Sequence, residues 1–178
     1  METEINARIR AAWSSFGKNK EIFKDKEIPV CLKRKLYNQC VLPTLIYGCE
    51  TWAITKAIMK KVRTCQRAME RKMIGVQVKE KIPHTKIRQQ TKVRDAIKTV
   101  LKMKWKWAGH IGRMQDERWT AKCTMWMPTG RRRKGAPRRR WRDDIVKYAG
   151  KDWIELSRNR DQWRGLAEGY ILQWMNLA

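Results

Sequence analysis

Apolar residues recur along this chain at helical spacing far more often than in alternation. Ile5, Ile9, Ala12, Trp13 and Phe16 fall on one face of a first helix, for which Thr3 is a suitable N-cap. A second helix is predicted to begin with Pro29 in its first turn and to run through Leu32, Leu36 and Cys40. Pro43 should kink or end it, and Leu45-Ile46-Tyr47-Gly48 follows as an apolar junction. The third helix is the clearest, with Thr55 placed as N-cap and Gly75 as the C-terminal stop. At 100° per residue, Ile58, Val62, Cys65, Met69 and Met73 lie within roughly 80° of one another. A short helix around Thr85–Gln90 precedes a longer one from about Arg94 to Arg113, whose Ile97, Leu101, Trp105 and Ala108 share a face. Within it Met103, Trp105 and Trp107 alternate with Lys102, Lys104 and Lys106, a local strand pattern, but the helical frame spans more residues. Trp119 to Trp126 forms another short helix. The C-terminal part holds one helix with Trp141, Ile145 and Tyr148, a turn at Trp153-Ile154-Glu155-Leu156, and a helix from near Asp161 carrying Trp163, Leu166, Tyr170 and Trp174. Trp105, Trp119, Trp163 and Trp174 are therefore expected in the core.

The expected fold class is all-α: a helical bundle followed by smaller helical segments around a basic linker. The expected segments are 1–75, 76–127, a flexible linker at 128–140, and 141–178.

Charge changes the picture from scaffold to ligand. The 178 residues carry 42 Lys and Arg against 17 Asp and Glu, a net charge of +25. Such self-repulsion is relieved when a polyanion is bound. No apolar run approaches the roughly 20 residues that span a bilayer. The acidic start, Met1-Glu2-Thr3-Glu4, lacks the apolar segment of a signal peptide. The expected partners are DNA, RNA or an RNA–DNA hybrid, with no membrane, in an intracellular and nuclear setting. On the third helix Lys56, Lys60, Arg63, Arg67 and Arg71 centre opposite the apolar face, with only Glu70 near the edge. Solvated faces normally mix signs, so a stripe of one sign points to phosphate contact. Lys104 and Arg113 on the longer helix join the candidates. Between Arg131 and Arg142 the candidates are Arg131, Arg132, Arg133, Lys134, Arg138, Arg139, Arg140 and Arg142, eight cations without an acid. That run should be extended and mobile when free. It resembles an AT-hook, although Ala136 stands where the motif has its central Arg. A free-standing AT-hook-like or chromatin-associated protein is the alternative reading.

Catalytic constellations are not apparent. His84 and His110 are isolated and read as structural. Asp143 and Asp144 are adjacent, so on a helix they diverge by about 100° and do not converge on paired metal ions; they suit a helix first turn. Cys31, Cys40 and Cys49 are spaced by nine, which reverses the face on helix and strand alike, so buried free thiols are expected rather than a metal site. No cofactor is expected, and no enzyme activity.

Four ordered strings go beyond composition: Leu36-Tyr37 with Leu42-Pro43 and Tyr47-Gly48-Cys49-Glu50-Thr51-Trp52; Trp107-Ala108-Gly109-His110-Ile111-Gly112-Arg113-Met114; Trp141-Arg142-Asp143-Asp144-Ile145; and Asp161-Gln162-Trp163-Arg164. Together they resemble the C-terminal part of non-LTR retrotransposon reverse transcriptases of the RTE/BovB type, over nearly the whole chain. The resemblance implies that 1–75 is a thumb gripping template–primer through its backbone. The remainder would be the extension that holds template RNA and target DNA. The family's palm carboxylates, in a Tyr-x-Asp-Asp turn, have no counterpart here, nor does the zinc knuckle of some related clades. Polymerase activity is thus not implied for this chain, and the missing palm and endonuclease become expected partners.

Overall fold

A computed structural model describes residues 1–114, 119–126, 135 and 139–176. Among these residues every regular element is helical and none is a strand, as the periodicity requires. The chain divides into two compact units, Met1–Tyr47 with Ala57–Thr99, and Gly48–Lys56 with Val100–Ala178. Neither coincides with the continuous segments expected from the sequence, because burial groups stretches that are remote along the chain. The linker expected at 128–140 lies largely outside the described residues.

The first unit contains α1 (Glu2–Lys18), α2 (Lys20–Lys24) and α3 (Val30–Leu36). α3 passes through a π turn at Tyr37–Val41 into α4 (Leu42–Ile46). Of the two outcomes expected at Pro43, a kink or an end, the helical stretch does not end there but continues through the irregular π turn. Pro43 sits in the first two positions of α4, where a missing N–H is tolerated, and the wider π turn absorbs the change of register. Thr3 lies inside α1 rather than capping it. α1 packs on α4 and the π turn through Ile5, Ala12 and Phe16, and Phe16 stacks on Phe23 at 4.2 Å. The inward residues of the second helical stretch are Lys33, Tyr37 and Val41, while Leu32 and Cys40 are exposed. The face is one residue out of phase with the expected one. Lys33 shares that face with the apolar Tyr37 and Val41, its buried ammonium donating to Met73 O at 3.1 Å. That carbonyl belongs to the last turn of α5 (Lys56–Ile74), where a cation complements the helix dipole. Cys31 is likewise exposed, against expectation, whereas Cys49 and Cys65 are buried.

All five predicted inward residues of α5 are buried, and Gly75 closes the helix at φ +74°. Glu70 is not at the edge of the cationic stripe but fully buried. It accepts from Arg88 Nη2 (2.7 Å) and Nε (3.0 Å), both on α6 (His84–Thr91), and from Thr91 Oγ1 (2.9 Å). Gln66 donates to Arg94 O and accepts from Ala96 N, fixing the start of α7 (Ala96–Gly112), whose first turn Asp95 caps through Lys98 N.

The second unit takes the rest of α7, with α8 (Trp119–Met125), α9 (Asp143–Ala149), α10 (Trp153–Arg158), α11 (Arg160–Gly165) and α12 (Ala167–Asn176). Trp105 of α7 and Trp163 of α11 stack at 4.0 Å, only 4° from parallel. Each indole N–H donates to the other residue's carbonyl, at 2.9 and 3.0 Å. Gly109 and Gly112 permit this approach, since a Cβ on either would collide with Trp163 or Ser157. Trp153, Tyr170 and Trp174 complete the aromatic core. Trp119 does not: its side chain is 80% exposed, and seven residues are too few turns for periodicity to fix a face.

Candidate nucleic-acid interface

Because α5 buries one face, its cations are carried on a backbone held before any ligand arrives. Lys56, Lys60 and Arg67 are exposed, and Arg63 and Arg71 are half-buried. No acid interrupts the stripe, since Glu70 turns inward to Arg88. Beside it lies His84, whose Nε2 is 3.6 Å from Glu70 Oε1 and has no hydrogen-bond partner among the described residues. Burial first, then the charges of Arg88, Arg67 and Arg71, push this imidazole down to about 4. The ring is neutral at pH 7 and makes no ion pair there.

That shift gives a pH dependence of defined sign. An unfolded His gains its proton near pH 6.5, the folded one only near 4, so the unfolded state holds the extra proton in between. Stability is complete above the unfolded value and declines as pH falls through the window. Glu70, whose carboxyl is raised chiefly by burial, titrates in the opposite sense. The informative comparison is therefore wild type against His84→Gln. The urea midpoint of the wild type is expected to drop between about pH 7 and about pH 5 while that of the variant stays flatter. Parallel curves would remove His84 from the account.

Lys104 must leave the candidate set. Its ammonium is fully buried, donating to Asp144 Oδ1 and to Trp52 O, each at 2.9 Å, and lying 5.3 Å from the centre of the Trp141 ring. Desolvation lowers its proton affinity, against the attraction of Asp144. Asp144 also accepts from Tyr170 Oη at 2.7 Å, so it is an ion-pair partner rather than a dipole-complementing acid. Asp143 keeps the role expected of it, accepting from Arg140 N just ahead of α9. Arg113 is half-buried and donates to Ser157 O at 2.7 Å. Arg139, Arg140 and Arg142 are half-buried, with the Arg139 guanidinium 4.6 Å from the Trp174 ring centre. Arg131, Arg132, Arg133, Lys134 and Arg138 lie outside the described residues.

The pattern of residues also concealed a groove. In the second unit an open depression of about 860 Å³ runs between α7 and α11, bordered by Lys102, Lys106, His110 and Arg113 on one side and Arg160 and Arg164 on the other. The α7 members follow helical spacing on the side away from Leu101 and Ala108, a signal the lysine–tryptophan alternation obscured.

Among the described residues no helix is long and apolar enough to cross a membrane, and no cluster of His, Cys, Asp and Glu could hold a metal ion. No protein-family profile matches the chain, and no solved structure matches it. The chain is similar to an uncharacterized transposon-derived protein of Caenorhabditis elegans, with 35% identity over 177 residues covering 90% of this chain. It spans 62% of that relative's length. The likeness supports a transposon origin for the sequence.

Proposed function

We propose that this chain is a nucleic-acid-binding region of a non-LTR retrotransposon reverse transcriptase, thumb-like in its first helices, which holds a template–primer or target duplex by its phosphates. The observation that carries the reading is α5, an uninterrupted line of cations backed by a fully packed face. A regular phosphate backbone can register with such a stripe without ordering it first, so little binding energy is lost to entropy. Polymerisation would be performed by a palm elsewhere in a longer polypeptide, and the cationic run at 131–142 would add phosphate contacts and a nuclear localisation signal.

Neutralising Lys60, Arg63, Arg67 and Arg71 together to Gln is expected to lower duplex affinity and to reduce the salt slope on duplex by up to about 3 to 4 units, at roughly 0.9 per engaged cation. Preference for duplex over single strand should fall with it. The purified chain should bind RNA–DNA hybrids with Mg²⁺ and nucleotide present but not extend the primer. Filter binding across a salt series tests the first expectation. An unchanged slope and unchanged duplex preference would reduce the stripe to an ordinary solvated face.

A further inference from the structure

We infer that the groove of the second unit is a separate seat for a single-stranded stretch of nucleic acid, with bases stacked on Trp107 and phosphates held by the flanking cations of α7 and α11. This goes beyond the duplex grip proposed for α5 and uses none of its residues.

Charge complementarity selects the occupant. The groove is bordered by two lysines, three arginines and a histidine, against one carboxylate, that of Glu50. Lys102, Lys106, Arg160 and Arg164 are exposed; the Asp161–Arg164 pair, at 3.6 Å with both side chains in solvent, holds its arginine weakly. Burial first, and then the neighbouring charge of Arg160, disfavour the charge of Arg113, and an anion seated between the two would offset that repulsion.

Aromatic surface argues for unpaired bases rather than a duplex. Trp107 is half-buried, its ring 5.3 Å from that of His110, and part of its surface stays open. The same indole borders a second open depression of about 530 Å³, with Trp126, Trp141 and Arg140. Trp126 is 70% exposed, and Trp141 is pinned by donating to Glu50 O at 2.6 Å. Trp107 thus joins two aromatic and cationic recesses into one path. Aromatic faces flanked by cations are the chemistry that holds single strands without reading sequence, each stacked base contributing on the order of a few-fold to a hundredfold in affinity. A duplex keeps its bases stacked on each other and offers nothing to these rings. An acidic peptide would satisfy the cations but leave the indoles unused.

The test is fluorescence anisotropy with the full chain, using a labelled oligouridylate of about ten nucleotides, a single-strand site size, and a mixed-sequence duplex. The triple variant Lys102→Gln/Lys106→Gln/Arg164→Gln alters exposed side chains, so it should fold as the wild type does by circular dichroism. It is expected to bind the oligouridylate about tenfold more weakly or worse, with a shallower salt slope, and the duplex nearly as before. Trp107→Leu should weaken single-strand binding about fivefold or more with the salt slope retained. The α5 quadruple variant should show the reverse, losing duplex and keeping oligouridylate, so that failure of the stripe and failure of the groove are read separately. The inference is overturned if both groove variants bind oligouridylate like the wild type, or if the triple variant loses duplex and single strand equally. Polyglutamate competing as well as oligouridylate would overturn it too, because charge alone would then be recognised.

Discussion

Lys104→Met is expected to destabilise the chain by about 3–5 kcal/mol, although it preserves side-chain volume and adds apolar surface. The substitution removes the only cation that Asp144 reaches at hydrogen-bond distance among the described residues and leaves the Trp52 carbonyl without its donor. Tyr170 Oη still donates to the other carboxylate oxygen, but one neutral donor does not compensate a buried negative charge. The pair ties α7 to α9 and to the stretch around Trp52, so its loss should reach three stretches of chain at once. Urea unfolding followed by circular dichroism measures it. The double variant Lys104→Met/Asp144→Leu should recover much of the loss, because exchanging both members of a buried pair for apolar groups is commonly near neutral. A single variant as stable as the wild type would show that the ammonium is hydrated in solution.

Trp163→Ala should be comparably damaging, at about 3–5 kcal/mol. The indole is 3% exposed, stacks on Trp105 and donates to its carbonyl, and fills the space Gly109 leaves open. Trp163→Phe keeps most of the buried area and loses the N–H, so it should recover part of the stability without the hydrogen bond to the Trp105 carbonyl. Because Trp163 forms part of the groove wall, a base-stacking role is the alternative. An unchanged Tm with weakened binding of single strands would favour that role over packing.

How far the sequence discloses this structure depends on where each residue's partner lies. α5 was legible because its constraint is local: one buried face over nineteen residues writes a helical period strong enough to fix start, stop and direction. Ile97, Leu101, Trp105 and Ala108 on α7 followed for the same reason. Both buried lysines have partners forty residues away, Lys33 at the end of α5 and Lys104 at the start of α9. No periodicity carries that information, so residue type made Lys104 a phosphate-binding candidate and gave no sign that Lys33 turns inward. Leu32 is the counterpart, a leucine left exposed because Lys33 and Tyr37 took the inward positions. The cationic stripe of α5 could be read from spacing alone. The groove could not, because Arg160 and Arg164 are brought to α7 by the packing of Trp163 on Trp105 and Gly109, with Trp163 lying 58 residues from Trp105 along the chain.

The discontinuity of the second unit bears on how a ribosome delivers this chain. Gly48–Lys56 leaves the exit tunnel long before Val100–Ala178, yet belongs with it. The Trp141 indole that donates to Glu50 O follows its acceptor by 91 residues. At typical elongation rates the interval is roughly 5–20 s, far longer than helix formation or collapse takes. Over that time Cys49, Trp52 and Ile54, all buried in the finished structure, have no native surface to cover them. Gly48–Lys56 is thus a stretch that a nascent-chain chaperone would meet uncovered. Any protein cut to begin at Val100 would lack the piece that receives Lys104 and Trp141.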